Sequence, residues 1–282
     1  MTATVAQALQ TAHTLGLDRL DAQWLLLYTL GKPASARAWL LAHDDDVLPE
    51  APLQTFRSLA LRRAAGEPLA YIVGHKPFFG LCFNVDPRVL VPRPDTETLV
   101  QWALDALCSP ADWVNPRLLD LGTGSGAVAI AVAHTLQSAG QRPNVLAVDS
   151  SADALAVARE NARQLNADVQ FVESDWFTKV SGHYHVIASN PPYIATADPH
   201  LAALTHEPLS ALTAGVDGLQ DLRQIITEAP SHLVPGGWLL LEHGHNQSQA
   251  VCALLNLAGF RQVCSRADLA GIARCSGGQW PD

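Results

Sequence analysis

Three short segments hold residues whose types and spacing could do chemistry. Asp120-Leu121-Gly122-Thr123-Gly124-Ser125-Gly126 sets three glycines directly after an apolar run. Glycine lets the backbone turn tightly and approach a ligand without a Cβ in the way. The helix expected next offers free N–H groups to an anionic group. Asp149 ends the following apolar run, where a carboxylate can accept hydrogen bonds from ribose hydroxyls. Asn190-Pro191-Pro192-Tyr193 ends a fourth run, and its residues suit the holding of a planar nitrogen. An amide or aromatic amine nitrogen is a poor nucleophile because its lone pair is delocalised. The Asn190 side-chain oxygen and the Pro191 carbonyl can accept its two N–H bonds. Proline removes a competing donor and fixes the backbone, and Tyr193 can stack on the planar group. A nitrogen held this way can be lined up with the methyl carbon of a sulfonium, so that catalysis is mainly positioning and electrostatics.

Each segment also has a plainer reading. Gly122-x-Gly124-x-x-Ala127 fits a dinucleotide fingerprint, and a glycine turn can exist without a ligand. Asp120 helps to choose, since a carboxylate there repels a pyrophosphate and suits an ammonium group, such as that of the methionine part of S-adenosylmethionine. Asp149 could serve only as a carboxylate at a helix N-terminus. Ser174-Asp175-Trp176 follows a third apolar run, and its ring could stack on adenine or simply fill a core. Asn-Pro-Pro-Tyr could be a turn that ends a strand. Against that, ligands of parallel sheets bind at the carboxyl ends of strands, where all these segments lie.

The elements that must position them follow from apolar spacing. Up to about residue 65 apolar residues recur at helical intervals (Val5, Leu9, Ala12; Leu20, Trp24, Leu27). Gly31-Lys32-Pro33 and Asp44-Asp45-Asp46 break the pattern, and a third helix is expected over 53–65 with Arg57, Arg62 and Arg63 on a solvated face. Pro77 to Val85 alternates like a hairpin strand, and Val91-Pro92-Arg93-Pro94 cannot be helical. Strand and helix then alternate. Strands are expected at 118–121, 144–149, 169–173, 184–189 and 237–242, with two short ones at 260–264 and 272–275. Helices are expected at 128–136, after Ser150 and Asp153 as a capping box, near 219 and at 247–258. Such alternation implies an α/β chain with a parallel sheet and helices on both faces.

Composition narrows the class. The chain has 282 residues, 48% hydrophobic and 16% charged, which excludes a disordered polymer. Its net charge of −9 disfavours wholesale nucleic-acid binding. Cys82, Cys108, Cys252, Cys264 and Cys275 form no C-x-x-C pair and are odd in number, as expected of reduced thiols, several of them in the core. The start has no basic or long apolar region, and no apolar run approaches a membrane span. A soluble cytoplasmic protein without membrane partners is expected.

Taken together, the glycine turn, Asp149 and Asn190 to Tyr193 resemble class I S-adenosylmethionine-dependent N-methyltransferases. Gly66-Glu67-Pro68-Leu69-Ala70-Tyr71-Ile72, Pro92 to Glu97, Glu207-Pro208, Gly215 to Leu219 and Glu242-His243-Gly244 narrow the resemblance to the release factor glutamine methyltransferase (PrmC/HemK) family, over nearly the whole chain. The resemblance implies a Rossmann-like class I methyltransferase sheet over 95–282, a small helical domain over 1–75 that grips the protein substrate, and a hairpin-like connector over 76–94. It implies S-adenosyl-L-methionine as methyl donor, no metal, and peptide chain release factors 1 and 2 as partners, methylated on the N5 amide nitrogen of the glutamine of a Gly-Gly-Gln loop. Asp120, Gly122, Thr123, Gly124, Ser125, Gly126, Asp149, Trp176 and Asn190 would contact the donor. Asn190, Pro191, Pro192 and Tyr193 would hold the glutamine, with Asn190, Pro191 and Tyr193 catalytic.

Three alternatives stand beside this reading. An adenine-N6 nucleic-acid methyltransferase poses the same positioning problem, but base flipping needs a basic surface. A non-catalytic nucleotide-binding adapter and a dehydrogenase are the others, and the dehydrogenase leaves Asn-Pro-Pro-Tyr unexplained. His183-x-His185 and His243-x-His245 read as polar or core histidines in place of metal ligands. Gly277-Gly278-Gln279 copies the substrate tripeptide. Chance accounts for it better than automethylation.

Overall fold

The structure is a computed structural model that describes residues 2–108, 113 and 115–281. Met1 and Asp282, the outer ends of the two expected domains, lie outside the described residues. The chain divides into two compact units, Met1–His75 and Lys76–Asp282.

The first unit is helical. It contains α1 (Val5–Thr14), α2 (Arg19–Thr29), α3 (Arg37–Ala42), α4 (Glu50–Ala64) and α5 (Leu69–Val73). Thr4 and Gln7 form a reciprocal capping box at the start of α1. Val5, Leu25, Leu26, Leu27, Leu53 and Phe56 lie in its core. The expected solvated arginines are partly engaged: Arg62 pairs with Glu67 and Arg63 with Asp21.

The second unit opens with a hairpin, β1 (His75–Phe78) and β2 (Leu81–Asn84). A 3-10 turn over Pro94–Thr96 leads into α6 (Glu97–Cys108), for which no helix was expected. Then follow β3 (Arg117–Leu121), α7 (Ala127–Ser138), β4 (Asn144–Asp149), α8 (Ala152–Gln164), β5 (Gln170–Glu173), β6 (Tyr184–Ser189), α9 (Gln220–Glu228), β7 (Leu233–Glu242), α10 (Ser248–Leu257), β8 (Arg261–Ala267) and β9 (Ala273–Gln279). The sheet order is β5-β4-β3-β6-β7-β9-β8. The first five strands are parallel. The last two are antiparallel, which corrects the expectation of a wholly parallel sheet. A short connection between β8 and β9 has no room for a crossover, so antiparallel pairing is the available geometry.

Strands covered on both faces read as continuous apolar runs. Leu118, Leu119 and Leu121 in β3 and Val186, Ile187 and Ala188 in β6 are fully buried. Leu119, Leu121, Ile187, Leu239 and Leu241 pack with Leu222 and Ile225 of α9 and Val251 and Leu255 of α10. Helices α6, α7 and α8 pack successively against one another and against β3 to β7. The chain runs outward through β4 and β5, then returns to β6 on the other side of β3. This strand reversal opens a crevice at the carboxyl ends of β3 and β6, the usual binding place of such sheets.

Two local expectations shift. The cap of α8 is Ser151, whose hydroxyl accepts from Ala154 N, because Ser150 lies one residue too early to reach the first turn. Of the five cysteines, all free, Cys275 is buried, while Cys82, Cys108 and Cys264 are exposed and Cys252 is intermediate. The core reading therefore holds for one, since the others fall on helix and strand faces turned to solvent.

Candidate active site

The glycine turn is tied together by its own backbone. Thr123 N donates to Val148 O at 2.9 Å, Gly126 N to Thr123 O at 2.8 Å and Gly124 N to Asp149 Oδ2 at 2.8 Å. Gly126 adopts φ +84°, and a Cβ there would meet Ile130 Cδ1 at 2.5 Å and Ala158 Cβ at 3.3 Å. Glycine is required both by the left-handed backbone and by the closeness of α8. Asn161, fully buried, clamps the arrangement: its Nδ2 donates to Ser125 O and Asn84 O, and its Oδ1 accepts from Asn84 N.

Asp120 lies 2% exposed in a strand of leucines. Its Oδ2 accepts from Thr123 Oγ1 at 2.7 Å and from Ala129 N at 3.2 Å. Thus one N–H at the start of α7 is capped by the chain itself. Burial, with a smaller contribution from the Asp149 charge, pushes the Asp120 carboxyl up to about 7 against the pull of those two hydrogen bonds. Asp149 accepts from Gly124 N and, at 2.9 Å, from Ser151 N. Burial raises its pKa while these backbone donors oppose the shift. With about four acceptor sites, the Asp149 carboxylate keeps room for a further donor.

Trp176 sits at φ +43°, a left-handed conformation rare outside glycine. Ser174 holds it there. The buried Ser174 hydroxyl donates to Trp176 O at 3.0 Å and accepts from Lys179 N at 3.0 Å. The indole then comes within 3.4 Å of the Cβ position of Gly122. A cavity of about 290 Å³ opens here, lined by Gly122, Gly124, Asp149, Trp176, Pro192 and Ala211, among others. Thr123 and Ser125 are buried in the turn, and they, Asp120 and Gly126 are not among its lining residues. The cavity suits a nucleoside: an indole face, a carboxylate with free lone pairs and a close glycine backbone stand together.

Asn190 follows β6 immediately. Fully buried Ser189 donates to Leu121 O at 2.8 Å, joining the end of β6 to the end of β3. Asn190 Nδ2 donates to Thr96 Oγ1 at 3.3 Å. Pro191 is buried, and Pro192 lines the cavity. Tyr193 packs against the core formed with α9 and α10, and burial raises its phenol pKa. Gln247 steadies its backbone, with Nε2 donating to Tyr193 O at 3.0 Å and to Gly218 O at 3.3 Å. Glu207, also buried, accepts from Val91 N at 3.1 Å and from Arg93, pinning the connector to the loop beyond Tyr193.

Sequence reading assigned no role to Thr96, Glu242, Ser174, Asn161 or Gln247. One signal was available for Glu242, a carboxylate closing a strand of leucines beside the expected site. The histidine pairs do not converge. His185 Nδ1 accepts from Arg117 N and His183 is exposed, while His243 is buried against Ser276 and His245 is exposed. Among the described residues no group of three His, Cys, Asp or Glu could hold a metal. Gly277 and Gly278 are small for packing reasons, since a Cβ would meet Leu240 Cδ2 at 2.7 Å or Phe260 Cβ at 2.8 Å. Gln279 Nε2 donates to Gly236 O within the strand, which leaves the tripeptide copy no free loop to offer.

Known proteins resemble the chain along nearly its full length. Residues 2–74 match the PrmC N-terminal domain, and residues 104–215 match the methyltransferase small domain. A release factor glutamine methyltransferase of Bordetella pertussis is 49% identical over 267 residues, covering 93% of this chain and 95% of that protein. One from Burkholderia pseudomallei is 46% identical over 291 residues, covering 99% and 97%. The chain belongs to the release factor glutamine methyltransferase family. Membership removes the adenine-methyltransferase, adapter and dehydrogenase alternatives. The class I methyltransferase fold of the family is also that of a solved methyltransferase from Pyrococcus furiosus, 18% identical with a TM-score of 0.54, covering 78% of this chain and 99% of that one. Among the described residues no helix is long and apolar enough to cross a membrane.

Proposed function

We propose that the chain transfers a methyl group from S-adenosyl-L-methionine to the N5 amide nitrogen of the glutamine in the Gly-Gly-Gln motif of peptide chain release factors 1 and 2. The observation that carries this reading is that Asn190 to Tyr193, at the end of β6, adjoin the cavity at the end of β3, which Pro192 lines while Asn190, Pro191 and Tyr193 do not, in a member of this family. When bound, S-adenosylmethionine supplies a methyl group on a positively charged sulfur, which even a weak nucleophile can take.

The chain's own residues do the positioning. Asp149 accepts from the ribose hydroxyls with its free lone pairs, and the Trp176 indole covers the adenine. Asp120, next to the turn, favours an ammonium group once ionised, and Gly122 to Gly126 give the backbone its approach. The Asn190 Oδ1 and the Pro191 carbonyl accept the two N–H bonds of the glutamine amide. Tyr193 covers its plane, and Pro192 walls the space between the two ligands. No strong base is required in advance, so orientation carries most of the rate. The helical unit, residues 1–75, is the part available to grip the release factor.

The test is incubation with purified release factor and isotopically labelled donor, followed by peptide mapping. Label on the glutamine of Gly-Gly-Gln is expected, and its absence, or label on another residue alone, would overturn the reading.

A further inference from the structure

Glu242 ends β7 and is 1% exposed, in a strand whose preceding three residues are fully buried leucines. The Thr96 hydroxyl and the Asn190 amide stand beside its carboxylate, near enough that both favour its ionised form. Asn190 Nδ2 donates to Thr96 Oγ1 as well. Donors and acceptors fit here in one way. An ionised carboxylate only accepts. Thr96 has one hydroxyl proton, which goes to Glu242, so its lone pairs accept from Asn190. The two hydrogens of Asn190 Nδ2 then face the Thr96 oxygen and the Glu242 carboxylate, and Asn190 Oδ1 is left for a donor outside this triad.

We propose that Glu242, directly and through Thr96, is a positioning residue for methyl transfer: it fixes which way the Asn190 carboxamide faces, so that Oδ1 and not Nδ2 meets the substrate amide. The proposal rests on the functional reading above. A flipped Asn190 would set N–H against N–H and lose the acceptor that holds the nucleophile. One Glu242 oxygen, Oε2, is buried with no hydrogen-bond partner among the described residues. A half-satisfied buried carboxylate destabilises a fold and calls for a reason, and orientation of Asn190 supplies one.

The ionisation of Glu242 matters to this role. Burial pushes its carboxyl up to about 7; the Thr96 hydrogen bond lowers it, Asp95 raises it, and Arg274 and the Asn190 hydrogen bond lower it. Tyr193 and Cys275 also face it, and both are pushed up by burial and by the Glu242 charge, so they stay protonated. Once protonated, Glu242 becomes a donor and can bond Asn190 Oδ1, which removes the barrier to the flip. The rate should therefore fall as pH drops through about 7.

The experiment compares wild type, Glu242→Gln, Thr96→Val and Thr96→Ser on intact release factor. Glutamine keeps the volume but brings an N–H that can bond Oδ1. Glu242→Gln should lower kcat at least roughly tenfold, with KM and donor affinity within about twofold. With donor saturating, so that Asp120 does not contribute, its acid limb near pH 7 should disappear. Thr96→Ser should recover most of the rate that Thr96→Val loses. A second readout does not need turnover. The Asn190 side-chain NH₂ resonances, identified by their loss in Asn190→Asp, should titrate near pH 7 in wild type and not in Glu242→Gln. A folded Glu242→Gln with unchanged kcat and acid limb, or Asn190 resonances indifferent to pH, would overturn the proposal. If Glu242→Gln does not fold, equal rates for the two Thr96 variants would overturn it. A wild type that never labels the Gly-Gly-Gln glutamine would sink the functional reading, while the resonances still decide the orientation.

Discussion

Asp149 already accepts two backbone N–H groups, from Gly124 and Ser151, before any ligand arrives. The role toward a ribose proposed for it and its role in the turn would therefore be one: the bonds that orient the carboxylate also fix the loop beside it. In Asp149→Ala both are lost. Donor affinity should fall roughly 10- to 100-fold, from about 1.5–3 kcal/mol of charge-assisted hydrogen bonding. Isothermal calorimetry reads this directly, and unchanged affinity would remove Asp149 from the donor site. The placement of Asp149, ending β4 beside the glycine turn, was legible in the sequence because motif and position coincide. The meaning of Glu242 and Thr96 was not, because it lies in the proximity of residues 96 and 242 of a chain folded back on itself. Nothing near either residue announces the other.

At the scale of elements, the site depends on how closely α7 and α8 approach at the glycine turn. Gly126 caps α7 in a left-handed conformation, with Ala158 of α8 across from it. Gly126→Ala should cost about 1–2 kcal/mol in the backbone alone, and the contact with Ala158 adds to it. Urea denaturation should record that loss, with weaker donor binding in calorimetry, while Gly124→Ala, with open space at its Cβ position, should lose only the backbone share. Equal stability of Gly126→Ala and wild type would contradict this account of the turn. The strands and most helices here were readable, since β3, β4 and β6 are buried on both faces and stand out as apolar runs. Helix α6 was not read because Pro92 and Pro94 precede it, and prolines that begin a helix look like prolines that forbid one. The antiparallel end of the sheet escaped because the strand–helix alternation was carried through to the end of the chain, although the short connection between the last two strands leaves no room for a crossover helix.

Across the whole molecule, protonation has opposing effects on stability. Asp120 is raised to about 7, so its contribution is fully present at low pH and is lost as pH rises through about 7. His185 and His243 are lowered by burial, so theirs is present at higher pH and is lost as pH falls. The two tendencies offset each other in wild type over the acid side of neutrality. A difference measurement separates them. Relative to wild type, ligand-free Asp120→Asn should gain stability between pH 5 and pH 7, by about 1.4 kcal/mol per pH unit, and level off above. Chemical denaturation at four pH values across pH 5 to 8 checks it, and a flat difference would mean that Asp120 is ionised throughout.

Gln247 has a mechanical consequence. One carboxamide donates to Tyr193 O and Gly218 O and accepts from Gly244 N. Three segments of the rim, far apart along the chain, thereby become a single stiff lip. A visiting loop meets one edge that yields as a piece or holds as a piece, not three fingers closing in turn.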